Sequence, residues 1–329
     1  MAERAGVGLV TVSRVVNEVG SVGESTAARV NAAIEELGYQ RDEIARSLRP
    51  GQSSRTIGLV IGDLTNPFYA SLAKGAVGEL KAAGYAVVLS SADEDAEAER
   101  RAIRELLGRR VAGLVMVPGH SDHAFLASAN RHTRVPVVFV DRPARGAQGD
   151  VVIFDNERGA QLAVDHLIAH GHRRIAIVVA PSHYTTVRRR RGYRKALQAA
   201  GIPVDDSLVV KLRHGSVEDS ARATGELLDR SDPPTAIFST TNFLTEGVLQ
   251  AMWNRHSHVA LVGFDDFRLA GMLQTPVTVV ASDAEELGRR GAAALLERLG
   301  GDTKPFKRIV LPVHLVARGS GEISPPIAR

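Results

Sequence analysis

The sequence predicts an α/β protein: a small all-helical head followed by two lobes, each a doubly wound parallel sheet. Three observations predict it. Residues 1–50 read as short helices throughout. From residue 56, continuous apolar runs alternate with helical segments, the pattern of parallel strands joined by right-handed crossovers. That alternation restarts near residue 151, which implies a second sheet and a cleft between the two lobes.

In the head, "AERAGV" ends a helix and "VTVSRVVN" forms a second. Val12, Val15 and Val16 fall at i, i+3 and i+4, so one side of that helix packs. Its other side carries Thr11, Ser13, Arg14 and Asn17. "ESTAARVNAAIEELGY" is a longer third helix with Val30, Ile34 and Leu37 as its apolar stripe, closed by Gly38. "DEIARSLR" is a short fourth, and "PGQSS" a linker.

The first lobe begins with "TIGLVIG" (56–62), a strand apolar on both faces. A helix over 69–85, the strand "AVVLSSA", the helix "EAERRAIRELLGRR" and the strand "VAGLVMVP" follow. A helix through "HAFLASAN" leads to the strand "VPVVFVD" (135–141). The second series runs "VVIFDN", the helix "ERGAQLAVDHLIAHG", "RIAIVVA", the helix "RRGYRKALQAAG" and "DSLVVKL". It continues with the helix "EDSARATGELLDR", "TAIFST", the helix "FLTEGVLQAMWN" and "VALVGFD".

Composition narrows the function classes. A chain of 329 residues, 44% hydrophobic and 24% charged, is an ordinary globular composition with room for two or three domains. Without cysteine there is no disulfide framework and no thiolate metal site. The formal charge of +4 permits nucleic-acid binding without requiring it. No stretch approaches the roughly 18 apolar residues of a membrane span. "MAERAGVG" lacks a basic region followed by an apolar run, so the expectation is a cytoplasmic protein without a membrane partner.

Ligands of doubly wound sheets sit beyond the carboxyl ends of the strands, which nominates Asp63, Asp141, Asn242 and Asp265. Capping of the next helix is the competing explanation for each. No G-x-G-x-x-G follows a predicted strand, no Walker loop occurs, and no nucleophile–base constellation is visible. No enzyme activity and no cofactor are therefore expected. His166 and His170 lie at i and i+4 but lack the Glu of an H-E-x-x-H site, and His120 and His123 share a loop. No metal is expected.

The stretches "AGVGLVTVSRVVN", "AAIEELGY", "ARSLR", "RTIGLVIGDLTNPFYASL", "VPVVFVDRP", "HLIAHGHRRIA", "PTAIF" and "VGFDD", in that order, resemble the lactose-repressor (LacI/GalR) family of bacterial transcription regulators over nearly the whole chain. The resemblance implies a helix-turn-helix head over 1–40 and a hinge helix with linker over 41–56. It implies a two-lobed core resembling periplasmic sugar-binding proteins. The first lobe would take 57–154 with about 281–311, and the second 155–280 with about 312–325. It also implies a homodimer on a palindromic operator, with a sugar or related small-molecule effector in the cleft. Lobe closure would then govern whether both heads fit their half-sites.

Residues carry over as follows. Leu9 and Val10 would choose operator bases through van der Waals contact, and Arg14 would reach a guanine. Thr11, Ser13 and Asn17 would hold phosphates. Leu48, with Ile44 and Ala45 beside it, would wedge into the minor groove at the operator centre. In the core, Arg189, Asn242 and Asp265 would bind the effector polar groups, with Phe68 and Tyr69 as aromatic walls. Of the run 188–191, only Arg189 is a pocket candidate; the others form a solvated basic patch.

Several positions depart from the family pattern. The first helix starts near its middle, so either the start is misassigned or the head is impaired. Gly8 and Gly23 stand where serine caps are usual. The hinge begins "RDEIA" rather than "RPNAVA", placing Asp42 and Glu43 beside DNA. Residues 1–56 hold seven arginines, seven carboxylates and no lysine. Weak DNA binding is therefore expected, and a solute sensor with impaired or absent DNA binding is the alternative. Phe243 replaces a frequent Asp, which makes the pocket more apolar.

Overall fold

A computed structural model of the chain describes residues 1–17, 20–39, 54–126, 135–180 and 183–326. The chain divides into two compact units, Met1–Ser54 and Arg55–Arg329.

The first unit contains α1 (Ala2–Ala5), α2 (Leu9–Asn17) and α3 (Glu24–Glu36). Its small core is Ala5, Val12, Val30 and Ala33, with Val15, Val16 and Ile34 packed against it. Leu37 falls outside the stripe: it caps the helix past its last turn and is 53% exposed. Gly38 follows in the left-handed region (φ 58°), a conformation that favours glycine.

The second unit holds two six-stranded sheets. The first has the order β11-β5-β4-β3-β1-β2, from β1 (Thr56–Ile61), β2 (Ala86–Ser91), β3 (Gly113–Met116), β4 (Val137–Val140), β5 (Asp150–Phe154) and β11 (Arg308–Leu311). The second has the order β12-β10-β9-β8-β6-β7, from β6 (Ile175–Val179), β7 (Val209–Lys211), β8 (Ala236–Ser239), β9 (Ala260–Phe264), β10 (Thr278–Ala281) and β12 (His314–Val316). All pairings are parallel except β10 with β12. Inner strands β3, β4, β6, β8 and β9 are buried along their whole length, as their unbroken apolar runs require.

Helices cover both faces of each sheet. They are α4 (Pro67–Ala82), α5 (Ala96–Gly108), α6 (Asn156–Ala169), α7 (Tyr184–Ala199), α8 (Val217–Leu228), α9 (Asn242–Asn254) and α10 (Ala284–Leu299). The chain passes between sheets after β5, after β10 and after β11. Beyond Asp265 the strand–helix alternation does not delimit β10, α10, β11 and β12, which are short or at sheet edges. The expected helix through 123–130 extends outside the described residues.

Two helices start earlier than periodicity predicts, and both shifts matter. α4 begins at Pro67, because Asn66 caps it by accepting from the Phe68 N–H at 3.0 Å and proline suits the first helical position. α7 begins at Tyr184 rather than near Arg190. Arg188, Arg189, Arg190 and Arg191 therefore lie on helix, each turned about 100° from the last.

α4 and α10 cross where two glycines let the backbones meet. A β-carbon on Gly75 would lie 1.9 Å from the Glu285 carbonyl oxygen, and one on Gly288 would lie 1.9 Å from that of Leu72. Gly78, on the same helix, faces open space. Gly75→Ala should lower stability by about 1–3 kcal/mol through forced helix separation. Gly78→Ala should be neutral or raise it by up to about 1 kcal/mol, since alanine is the better helix former. Thermal denaturation of the two variants checks the opposite signs.

Candidate functional site

In the head, α2 divides its faces as its valines predict. Val12 is 9% exposed, while Leu9 and Val10 stand 80% and 66% exposed in the first turn. Ser13 and Arg14 are exposed and Thr11 is half-buried. Asn17 ends the helix, and its side chain is outside the described set. Gly8 and Gly23 cap by backbone alone: the Gly8 carbonyl accepts from Thr11 at 2.9 Å, and that of Gly23 from Thr26 at 2.9 Å. Arg4 is tied to Glu36 by a two-pronged ion pair. Ile44, Ala45 and Leu48 lie outside the described residues.

The core site begins with two aspartates. Asp141 follows β4 and Asp265 follows β9, the third strand in the order of each sheet. Both adopt φ 68°, a conformation uncommon for a side chain larger than glycine. Each N–H donates to the neighbouring strand at 2.9 Å, Asp141 to Val152 and Asp265 to Val280. The two carboxylates thus close equivalent strand ends.

Around Asp265 the contacts are short and buried. Arg189 Nη1 donates to Asp265 Oδ2 at 3.1 Å and to the Thr240 carbonyl at 2.5 Å; its Nε donates to Asn156 Oδ1 at 2.8 Å. The guanidinium lies 3.5 Å from the Phe264 ring centroid. Ser282, on the passage between lobes, donates to Asp265 Oδ1 at 2.8 Å. Asn242 is buried at the start of α9 and donates to Asn66 Oδ1 of the first lobe at 2.9 Å. Phe68 stands beside Asn66, 6.3 Å from Phe154 between ring centroids, and shares with Asp265 a groove of about 840 Å³. The structure therefore brings Arg189 and Asp265 into contact and links Asn242 across to Asn66, the cap of the helix whose first turn carries Phe68.

Tyr69 belongs to a second cluster. Its hydroxyl accepts from Arg142 Nη2 at 2.7 Å, and the same nitrogen donates to Glu94 at 2.7 Å. Arg142 Nη1 reaches His183 Nδ1 at 2.5 Å, so His183 carries its proton on Nε2, which faces His120 Nε2 at 3.0 Å. His183 caps α7 in the second lobe, whereas His120, Arg142 and Glu94 belong to the first. This is a second bridge across the cleft. The loop bearing His120 is fixed by Glu99, which accepts from Gly119 N–H, Ser121 and the fully buried His123.

Protonation follows from burial and these partners. Burial pushes Asp141 up to about 6, against the pull of Arg142 and Arg189. Burial and then the Arg142 charge bring His183 down to about 3, so its imidazole is neutral. Burial would raise Glu94, but Arg142 holds it below the usual carboxylate range.

Sequence reasoning missed Arg142, Glu94 and His183. Arg142 follows a nominated strand-end residue, so the rule that found Asp141 reaches it one position later. Asp63, also nominated, accepts from Thr65 N–H at 2.7 Å and serves the local turn. His166 pairs with Glu322 at 2.7 Å, and among the described residues no group of three or more His, Cys, Asp or Glu could hold a metal. Nor is any described helix long and apolar enough to cross a membrane.

Residues 1–42 match the model for bacterial regulatory proteins of the lacI family. Residues 54–318 match that for periplasmic binding proteins and the sugar binding domain of the LacI family. The ribose operon repressor of Escherichia coli K12 is 33% identical over 97% of this chain and 98% of its own. A CelR–cellobiose complex is 32% identical, covering 97% of this chain and 98% of that one, with TM-score 0.74. A lac repressor dimer bound to operator and the anti-inducer ONPF is 28% identical over 97% of both chains, with TM-score 0.84. With one model covering the helical head and another the two-sheet core, the chain belongs to the LacI family of bacterial transcription regulators.

Proposed function

We propose that this chain is a ligand-responsive repressor that works in the cytoplasm and binds a palindromic operator as a homodimer. α2 enters the major groove of each half-site. Leu9 and Val10 meet base edges, Arg14 reaches a guanine, and Thr11, Ser13 and Asn17 hold phosphates. Ala45 and Leu48 serve the minor groove at the operator centre. The observation that carries this reading is the exposure of Leu9 and Val10, 80% and 66%, in the first turn of a helix whose valine face is core. Two adjacent apolar side chains left in water there suit a partner surface. The lac repressor dimer on its operator supports the same arrangement.

The effector is a sugar or related neutral metabolite in the cleft. Asp265, Asn242 and Arg189 offer acceptors and donors, and Phe68 and Tyr69 lie on the first-lobe side. Both cleft guanidinium groups already face carboxylates, Arg142 with Glu94 at 2.7 Å and Arg189 with Asp265 at 3.1 Å. A polyhydroxyl ligand can join such a network without adding charge. The CelR–cellobiose complex and the ribose operon repressor support the sugar class. No cofactor is required.

A second reading, a solute sensor whose head binds DNA poorly, draws on the equal count of arginines and carboxylates in residues 1–56 and on the Arg4–Glu36 pair. The steepness of DNA affinity against salt separates the two, because it counts phosphates neutralised.

In-vitro selection with the full chain should yield a near-palindrome with a central CG step. Arg14→Ala should weaken binding to it by about 1–3 kcal/mol and relax preference at one base position. Failure to enrich any site would remove the operator reading. Asp265→Asn should weaken a sugar identified by calorimetric screening at least tenfold while leaving operator affinity unchanged. Unaltered sugar affinity would place the effector elsewhere.

Asp141 sets a pH dependence. Its folded-state value near 6 lies above the unfolded value, so its contribution is full at low pH and lost as pH rises through 6. Asp141→Asn should therefore stabilise the core more at pH 7.5 than at pH 5, by about 1–2 kcal/mol. Denaturant titrations at the two pH values check the sign.

A further inference from the structure

α7 carries four consecutive arginines, and they go to different places. Arg189 is buried at the cleft. Arg188 pairs with Glu157 at 3.2 Å, and Arg191 approaches the same carboxylate at 3.5 Å. Arg190 does neither. With Thr186 and Val187 it lines a pocket of about 270 Å³, completed by Val179, Ala180, Lys211 and Leu212.

This pocket lies beyond the carboxyl ends of two neighbouring parallel strands, one strand away from the switch point between β6 and β8. Val179 is the last residue of β6 and Lys211 the last of β7. The Leu212 N–H donates to the Val179 carbonyl at 3.0 Å, which ties the two strand ends together. The charge of the lining sets it apart. The groove beside Phe68 includes Asp265, Asp266, Asp283 and Glu285. The cavity beside Tyr184 has the cations Arg158, Arg188, Lys195 and Arg308, but Asp155 and Glu157 lie among them, and Glu157 already pairs with Arg188 and Lys195. The lining at Arg190 has two cations and no carboxylate.

We propose that this pocket is a ligand subsite distinct from the Arg189–Asp265 site, and that it takes a small molecule bearing a phosphate or carboxylate group. Arg190 supplies a planar fork for two anionic oxygens, and Lys211 a compact charge across from it. Val179, Val187 and Leu212 provide apolar surface for a short carbon skeleton. The volume suits one small anion or one arm of a larger ligand. The cleft proper offers an anion less, because its guanidinium groups already face carboxylates. The proposal holds whether or not the cleft takes a sugar.

The test is calorimetric titration of the full chain with inorganic phosphate, at ionic strength held constant with chloride. Saturable binding is expected. Arg190→Gln and Lys211→Gln should each weaken it at least tenfold. Arg191→Gln, at an exposed position on the same helix, should leave it unchanged. Both tested side chains are at least partly solvent-exposed, and unchanged melting temperatures would show that the variants fold. Absence of saturable binding, or equal affinity in all three variants, overturns the assignment. Titration with a hexose and its 6-phosphate then separates the sources. A phosphate ester at least tenfold tighter than inorganic phosphate, with the gain lost in Arg190→Gln, marks the anion as an arm of the effector. Equal affinity for ester and inorganic phosphate marks it as a free anion.

Discussion

Two aspartates in left-handed backbone conformation, Asp141 and Asp265, set the terms for the core. Such a conformation costs on the order of 1–3 kcal/mol where glycine is absent, and it persists only when its surroundings over-determine it. Here the surroundings are the parallel ladders: each aspartate N–H is held by the adjacent strand, so the chain must turn at that residue. The turn leaves a carboxylate at the carboxyl end of each sheet, where desolvation is strong. An isolated buried carboxylate would be prohibitive. Arg189, reaching Asp265 at 3.1 Å, and Arg142, 3.5 Å from Asp141, follow from that requirement.

The two solutions differ. Arg189 comes from a helix, is braced by Asn156 and the Thr240 carbonyl, and stacks on Phe264. Its carboxylate partner also receives Ser282, so that charge is well satisfied. Arg142 is adjacent in sequence to its aspartate and is shared among Tyr69, Glu94 and His183. Burial raises the Asp141 carboxyl more than the shared Arg142 lowers it, whereas Glu94, hydrogen-bonded by that guanidinium, is held low. The second lobe thus holds a rigid polar floor. The first holds a network that extends across the cleft, through His183 and through Asn66 to Asn242. The second-lobe partners in these bridges, His183 and Asn242, are neutral, and Arg142 keeps its Glu94 partner within the first lobe, so parting the lobes breaks hydrogen bonds but no ion pair.

The inner strands were legible because parallel sheets buried on both faces demand unbroken apolar runs, and "TIGLVIG", "VPVVFVD" and "VALVGFD" supply them. Val12, Val15 and Val16 were legible because helical spacing fixes a face. Edge elements β7, β11 and β12 were not, since half-exposed three- or four-residue strands carry little pattern. Arg189 came from the family resemblance alone and Asp265 from that resemblance and its strand-end position, and the geometry joins them. Arg142, His183 and Glu94 lie far apart in sequence and meet only because the sheets bring their strand ends together. The fate of the four arginines was hidden by a few residues at a helix start. Periodicity begins α7 near Arg190, but the chain turns helical at Tyr184, and that decides which arginine is buried.

The head shows the opposite economy. Its core is four buried residues and a few half-buried neighbours, so little apolar burial is available to hold it. Two of its helices are capped by glycine, which satisfies no backbone donor through a side chain. Arg4 is bound to Glu36, and the arginines of residues 1–56 are matched in number by carboxylates. Residues 1–56 therefore carry no net formal charge with which to attract phosphate. What remains is placement. A valine-backed helix presents Leu9 and Val10 to solvent and keeps Ser13 and Arg14 on its outer side. Such a surface offers shape and a few directed polar groups rather than net charge. Two heads engaging together would then contribute more to binding than either alone.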